Sequence, residues 1–123
     1  MFYLNVSDTF SAAHRLCGYE GACSNLHGHN WKVRVGLQAE KLDNIGMAMD
    51  YGIIKQILKG ILDELDHSYL NEVTCLAGVN PTSENLALYI YEQMERALQN
   101  QPASIHEVEI CESERSSVVY RHV

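Results

Sequence analysis

The feature that most constrains the fold of this chain is a change of hydrophobic period near its middle. Between residues 29 and 40, every second side chain from Trp31 onward is apolar, which is the period of a strand with one buried face. From Asp50 to near Asp66 the apolar residues recur at helical spacing instead, and Asp50 is a suitable N-cap. The two periods predict a strand followed by an amphipathic helix.

The remaining segments complete the predicted order of elements. Strands are also expected at residues 2–14, 105–112 and 116–121. A second helix should begin near Pro81, with Thr82 as its cap, and end before Pro102. The order is β-β-α-α-β-β, and its short hairpins imply antiparallel pairing. The sequence therefore predicts an α+β fold, with both helices on one face of a four-stranded antiparallel sheet, in one domain covering residues 1–123.

The balance of charge narrows the classes of partner. The formal net charge is −7, and the nine lysine and arginine residues are spread along the chain. Binding to nucleic acid phosphates needs clustered cations, so no nucleic acid partner is expected. The sequence has neither an apolar run long enough for a membrane span nor an export signal, so we expect a cytoplasmic protein with no membrane partner.

Three of the six histidines surround one predicted loop. His14 ends the first strand, and His27 and His29 immediately precede the alternating part of the second. If that strand extends back to residue 27, His27 and His29 point to the same face, and the hairpin brings His14 near them. Three imidazoles with an open fourth position are typical of a catalytic zinc site. An isolated H-x-H is more often chance or a hydrogen-bonded pair, but the third histidine favours a metal.

Four cysteines are expected to be thiols, because the cytosol keeps them reduced; they are Cys17, Cys23, Cys75 and Cys111. Each is a candidate for metal binding or catalysis, and the ordinary alternative is a small buried side chain. Cys23 stands four residues before His27, where a nearby metal would favour a thiolate that acts as base or nucleophile. Its rival role is that of a fourth zinc ligand, and the sequence leaves both roles open. Cys17 is a weaker candidate for either.

Two further positions carry candidate carboxylates. Asp66 and His67 follow the first predicted helix, where the carboxylate can orient the imidazole for proton transfer. The alternative is an ordinary polar helix end. Glu112 continues the apolar alternation of Val108 and Ile110, and a carboxylate on such a face needs partners, such as adjacent N–H donors of a ligand. The alternative is that the strand ends there and exposes the side chain.

Together these segments resemble the 6-pyruvoyltetrahydropterin synthase and 6-carboxytetrahydropterin synthase family. The resemblance covers nearly the whole chain and rests on Phe10–His14, Cys23–Asn30, Asp50, Leu65–His67, Pro81–Asn85 and Glu112. It implies the T-fold, in which this unit forms trimers whose sheets close into a barrel, usually stacked as hexamers. Such closure removes the exposed edges of a lone sheet.

The resemblance also implies a role for each candidate residue. The Zn²⁺ ligands would be His14, His27 and His29. The catalytic base would be Cys23, and its relay partners would be Asp66 and His67 of a neighbouring subunit. The pterin ring would be anchored by Glu112, in a pocket lined by Thr82, Ser83 and Glu84.

The substrate that the resemblance implies is 7,8-dihydroneopterin triphosphate. Animal-type members have a longer stretch between the cysteine and H-G-H, whereas here only residues 24–26 intervene. That spacing resembles the branch that forms 6-carboxy-5,6,7,8-tetrahydropterin and releases acetaldehyde and triphosphate, on the way to queuosine and other deazapurines. The alternatives are a pyruvoyl-forming synthase, an enzyme of dephosphorylated dihydropterins, and a noncatalytic domain stabilised by zinc. Two departures from the family pattern are Trp31, where tyrosine is frequent, and the additional thiol of Cys17.

Overall fold

Two α-helices and five strands make up the described part of the chain. The computed structural model describes residues 1–18, 20–21 and 24–123. The elements, in chain order, are β1 (Phe2–His14), β2 (His27–Ala39), α1 (Tyr51–Asp63), β3 (Ser68–Tyr69), two single-turn 3-10 helices (Leu70–Glu72 and Thr74–Leu76), α2 (Ser83–Ala97), β4 (Ser104–Ser113) and β5 (Ser116–Arg121). The predicted α+β class and the order of the six long elements are confirmed.

The sheet has five strands in the order β3-β1-β2-β4-β5, so the prediction of four strands was wrong. The four long strands pair antiparallel as expected, while β3 pairs parallel to β1, with Ser68 opposite Ala12 and Tyr69 opposite Ala13. After α1 the chain returns along the free edge of β1 and covers part of it. A strand of two residues is too short to show a period, so the sequence pattern did not reveal it.

Both helices pack on one face of this sheet. Side chains on that face include Phe10 of β1 and Trp31 of β2, whose rings stack with centroids 5.9 Å apart, and both are almost fully buried. The opposite face is polar at its centre. There Glu107, only 8% exposed, accepts hydrogen bonds from the guanidinium groups of Arg34 and Arg121. The alternation of apolar and polar residues in the sequence therefore predicts correctly which face of each long strand is covered by the helices.

The helix boundaries follow their capping residues. The Asp50 carboxylate accepts a hydrogen bond from the Gly52 N–H at 2.8 Å, and the Thr82 hydroxyl accepts one from Asn85 N–H at 3.1 Å, which confirms both predicted N-caps. Helix α1 ends at Asp63 rather than near Asp66. The backbone N–H groups of Leu65 and Asp66 both donate to the Leu62 carbonyl, which forms a tight turn that directs the chain back towards β1.

Neither helix in the described residues combines the length and apolar character needed to cross a bilayer.

Candidate metal centre

Three histidines converge at the end of the sheet where β1 leads into the loop before β2. The antiparallel register places His14 opposite His27 and Ala12 opposite His29. All three imidazoles lie on the helix-covered side of the sheet, and those of His14 and His29 lie next to the buried ring of Trp31. Their ring centroids are 4.4 Å apart for His14 and His27, 5.2 Å for His14 and His29, and 4.8 Å for His27 and His29. The structure thus brings together the three histidines that the sequence singled out.

Two of the rings are oriented by backbone carbonyls. His14 Nδ1 lies 2.7 Å from the Pro81 carbonyl oxygen, and His27 Nδ1 lies 2.7 Å from that of Asn25. A carbonyl oxygen only accepts, so each Nδ1 carries the hydrogen and each Nε2 keeps a free lone pair. Histidines that bind a metal through one ring nitrogen usually donate the other N–H to a carbonyl or carboxylate in this way, which fixes the orientation of the ring.

The Nε2 atoms of all three rings are buried and have no hydrogen-bond partner among the described residues. His29 Nε2 does lie 2.9 Å from Glu112 Oε1, but this contact lacks the direction of a hydrogen bond. Buried polar atoms are normally satisfied, so three unpaired nitrogens facing one another need an explanation. A bound cation satisfies all three lone pairs at once.

Glu112 completes the group of possible ligands. One oxygen from Glu112 and one nitrogen from each of the three histidines all lie within 4.8 Å of one another. Its other oxygen accepts a hydrogen bond from the Ser83 hydroxyl at 2.9 Å. The sequence singled out Glu112 but did not reveal its contact with His29. The signal was available in part, because Glu112 continues the strand face of Val108 and Ile110.

The electrostatics of the cluster favour the ligand form of the imidazoles. Burial is the main cause that lowers the pKa of His14; the Pro81 hydrogen bond partly opposes this effect, and His27 adds to it. Burial likewise lowers the pKa of His29, with Glu112 opposing and the other two histidines contributing. Both values fall below the ordinary 6.5, so both rings are neutral at neutral pH. Metal binding then needs little proton release.

Asp66 and His67 lie outside this group of four. The Asp66 carboxylate accepts a hydrogen bond from the Ser11 N–H at 2.8 Å, which is the first cause of its lowered pKa, and its other oxygen lies 3.0 Å from His67 Nδ1. His67 has a φ of 54° and a side chain that is 83% exposed. Because α1 ends at Asp63, His67 lies beyond the last turn of the helix, in the turn that leads to β3.

The three residues predicted to line the pterin pocket, at the start of α2, have different surroundings. Thr82 is the helix cap, Ser83 bonds to Glu112, and Glu84 is exposed in the first turn. Of these three residues, Ser83 is therefore the one that is hydrogen-bonded to a member of the candidate metal centre. The predicted base Cys23 lies outside the described residues.

Cys17, the second thiol considered near the site, is exposed. Its sulfur accepts a long contact of 3.8 Å from the Asn71 side-chain amide. It is not a member of the group of possible metal ligands.

The fold and this cluster define a small α+β protein with a histidine-lined candidate metal site at one end of its sheet. The family described as 6-pyruvoyl tetrahydropterin synthase matches residues 3–123, and the chain belongs to this family. A relative from Dictyostelium discoideum named 6-pyruvoyl tetrahydrobiopterin synthase is 36% identical over 126 residues, which cover 93% of this chain and 91% of that protein. The 6-carboxy-5,6,7,8-tetrahydropterin synthase of Synechocystis sp. is also 36% identical, over 117 residues that cover 91% of this chain and 87% of that protein.

Solved structures agree with this assignment of the fold. The structure of Caenorhabditis elegans 6-pyruvoyl tetrahydropterin synthase matches with a TM-score of 0.87 and 29% identity, covering 99% of this chain and 96% of that one. The predicted T-fold of the single chain is therefore confirmed, and its closure into a barrel stays a prediction. Relatives named for both the pyruvoyl and the carboxy product match the chain equally well, so similarity alone does not separate these two reactions.

Proposed function

We propose that this protein converts 7,8-dihydroneopterin triphosphate to 6-carboxy-5,6,7,8-tetrahydropterin, with release of acetaldehyde and triphosphate, for the synthesis of queuosine and other 7-deazapurines. The observation that carries the proposal is the set of three buried, unpaired Nε2 atoms in a chain of the pterin synthase family. The carboxy-forming branch is chosen because only residues 24–26 separate Cys23 from His27.

The proposed cofactor is Zn²⁺, held by His14, His27 and His29. Zinc accepts neutral imidazole nitrogens, and three protein ligands leave a position for substrate. When bound, the ion would serve as a Lewis acid towards the hydroxyl groups of the substrate side chain. The carbonyl oxygens of Pro81 and Asn25 would keep two of the rings in the ligand tautomer.

Acid–base chemistry is assigned to three residues. Cys23 would take the proton from the side-chain carbon of the substrate. Asp66, whose lowered pKa keeps it ionised, would hold the hydrogen on His67 Nδ1 and leave Nε2 free to transfer a proton. His67 is exposed and absent from the histidine cluster of its own chain, which supports its use in the site of a neighbouring subunit.

Recognition of the pterin is assigned to Glu112, with Thr82, Ser83 and Glu84 along the pocket. A carboxylate accepts two parallel N–H bonds, which matches the adjacent donors of a pterin ring. The hydrogen bond from Ser83 leaves one Glu112 oxygen facing the cluster and fixes the plane of the carboxylate. Residues 1–123 would act as one pterin-binding unit.

A homotrimer or hexamer in the cytoplasm is the proposed assembly. Large apolar side chains are concentrated around the loop before α1 and the first residues of β1; those most exposed there are Phe2, Tyr3, Leu42, Ile45 and Tyr51. Among the described residues, the outer edge of β1 is paired with β3 at Ala12 and Ala13 and hydrogen-bonded at Ser11, so most of that edge is open. Open edges and apolar patches of this kind are normally covered by association.

The second candidate is a 6-pyruvoyltetrahydropterin synthase, which the equal similarity to relatives of both names keeps in consideration. Incubation of the zinc-loaded protein with 7,8-dihydroneopterin triphosphate separates the two, because only the carboxy reaction removes two carbons. We expect acetaldehyde, and a pterin whose mass is that of the carboxy product. Triphosphate release without acetaldehyde would identify the pyruvoyl reaction instead. A zinc-loaded oligomer that releases neither would favour an enzyme of dephosphorylated dihydropterins or a noncatalytic domain.

A further inference from the structure

After β1 ends at His14, the backbone of residues 15–17 stays hydrogen-bonded along the same edge, although no strand among the described residues lies beside it. The row of contacts on this edge begins inside β1. There the Ser11 N–H donates to Asp66 Oδ1 at 2.8 Å, and the Ser11 carbonyl accepts from the backbone N–H of His67. At Ala13 the short strand β3 provides the pairing.

Two asparagine side chains continue this row of contacts. Asn71 Oδ1 accepts from the Arg15 N–H at 2.8 Å, and Asn71 Nδ2 donates to the Arg15 carbonyl at 2.8 Å. Asn80 makes the same pair of bonds to Cys17, at 3.0 Å from its N–H and 3.2 Å to its carbonyl. Each carboxamide thus replaces one peptide group of an adjacent strand.

The spacing of these contacts is that of an extended strand. Alternate residues of a strand direct their backbone groups to the same edge, and the residues held here are 11, 13, 15 and 17. Residues 15–17 are exposed or half-buried, so packing alone does little to fix them. Their course is set mainly by the two asparagines.

Asn80 also connects this segment to the metal centre. Its own carbonyl accepts from the Thr82 N–H at 2.8 Å and from Asn85 Nδ2 at 2.9 Å, so the start of α2 fixes its position. The next residue, Pro81, provides the carbonyl oxygen that orients His14. One short segment therefore holds both a candidate ligand and the chain that leads away from it.

We propose that Asn71 and Asn80 are positioning residues, whose side-chain amides set the course of residues 15–17 and so the direction in which the chain leaves His14. This inference rests on the proposed function, in which the loop between His14 and His27 carries the base Cys23. Among the described residues, His27 is held by strand pairing and Cys17 by Asn80. Neither asparagine belongs to the group of possible metal ligands.

The test uses Asn71→Asp and Asn80→Asp, which keep the size of the side chain. Each new carboxylate can still accept from the backbone N–H, but it cannot donate to the carbonyl and faces it with a second oxygen. Asn44→Asp is the matched control, because Asn44 is exposed and makes no side-chain hydrogen bond within the described residues. We expect kcat to fall about tenfold or more in both test variants, with KM changed less than about threefold, because small misplacements of a reacting group are costly. Zinc content should match that of the wild type.

A second measurement, the reactivity of the Cys23 thiol, does not depend on catalytic turnover. The rate of iodoacetamide alkylation of Cys23, determined by mass spectrometry relative to Cys111 in the same sample, should change in both test variants and stay unchanged in Asn44→Asp. An unchanged kcat together with an unchanged alkylation ratio in either folded variant would overturn the proposal, and one folded variant suffices for the decision. A wild-type protein without synthase activity would refute the proposed function, whereas the alkylation ratio would still decide the positioning role.

Discussion

Replacement of Glu112 by glutamine distinguishes two roles that its position permits. One oxygen lies 2.9 Å from His29 Nε2, where it is able to bind a metal, and the other accepts from Ser83. As a pterin anchor, the same carboxylate would instead accept two N–H bonds from the ligand. Glutamine has nearly the same size but no charge, and it presents one oxygen rather than two.

We expect Glu112→Gln to lose pterin affinity and to retain zinc. A hydrogen bond to a charged group contributes about 1.5 to 3 kcal/mol, so its loss should weaken pterin binding by about 10- to 150-fold. Zinc should remain, because the three histidines are still present and the carbonyls of Pro81 and Asn25 still orient two of them. Ser83→Ala should have a smaller effect in the same direction, since it removes only the hydrogen bond that holds the carboxylate.

The assay is a fluorescence titration of a dihydropterin into zinc-loaded protein, with zinc measured by elemental analysis of the same samples. Glu114→Gln serves as the matched control, because Glu114 is exposed in the turn between β4 and β5 and belongs to no metal-binding group. Unchanged pterin affinity in Glu112→Gln would refute the anchor role. A loss of zinc in that variant would assign Glu112 to the metal instead.

Three further predictions concern catalysis, stability and assembly. Cys23→Ala should keep zinc and the native assembly but lose activity, whereas loss of zinc together with the fold would indicate a fourth, structural ligand. Arg34 and Arg121 lower the pKa of Glu107 from its ordinary 4.5, so its stabilising effect is present above that value and disappears as the pH falls through the lower folded value. The difference in Tm between wild type and Glu107→Gln should therefore be largest near neutral pH and shrink as the pH falls below 4.5; a constant difference would contradict this. Light scattering should give a mass that is a multiple of three chains, and a stable monomer would count against the barrel.

Much of the fold was predictable because its elements are defined by local patterns. The alternation around Trp31 and the caps Asp50 and Thr82 depend on neighbouring residues, and the structure confirms all of them. The strand Ser68–Tyr69 was not predictable in this way. Its pairing with β1 joins residues that are far apart in the chain, and two residues are too few to show a pattern.

In the candidate site, too, local contacts were predictable from the sequence and contacts between distant segments were not. The convergence of His14, His27 and His29 follows from one hairpin, so their spacing along the chain was sufficient to suggest it. The contact of Glu112 with His29 requires the register between β2 and β4, which the sequence does not specify. The asparagine contacts are equally remote, since side-chain amides can bond to almost any exposed backbone group.

The most direct test of the central claim is the zinc content of the purified wild type compared with that of His27→Ala, with His122→Ala as a control outside the cluster. We predict stoichiometric zinc in the wild type and the control, and loss of zinc in His27→Ala. Circular dichroism should show that His27→Ala keeps its fold, because two helices and a five-stranded sheet hold the core. Full zinc occupancy in folded His27→Ala, or a wild type that binds no zinc, would contradict the account.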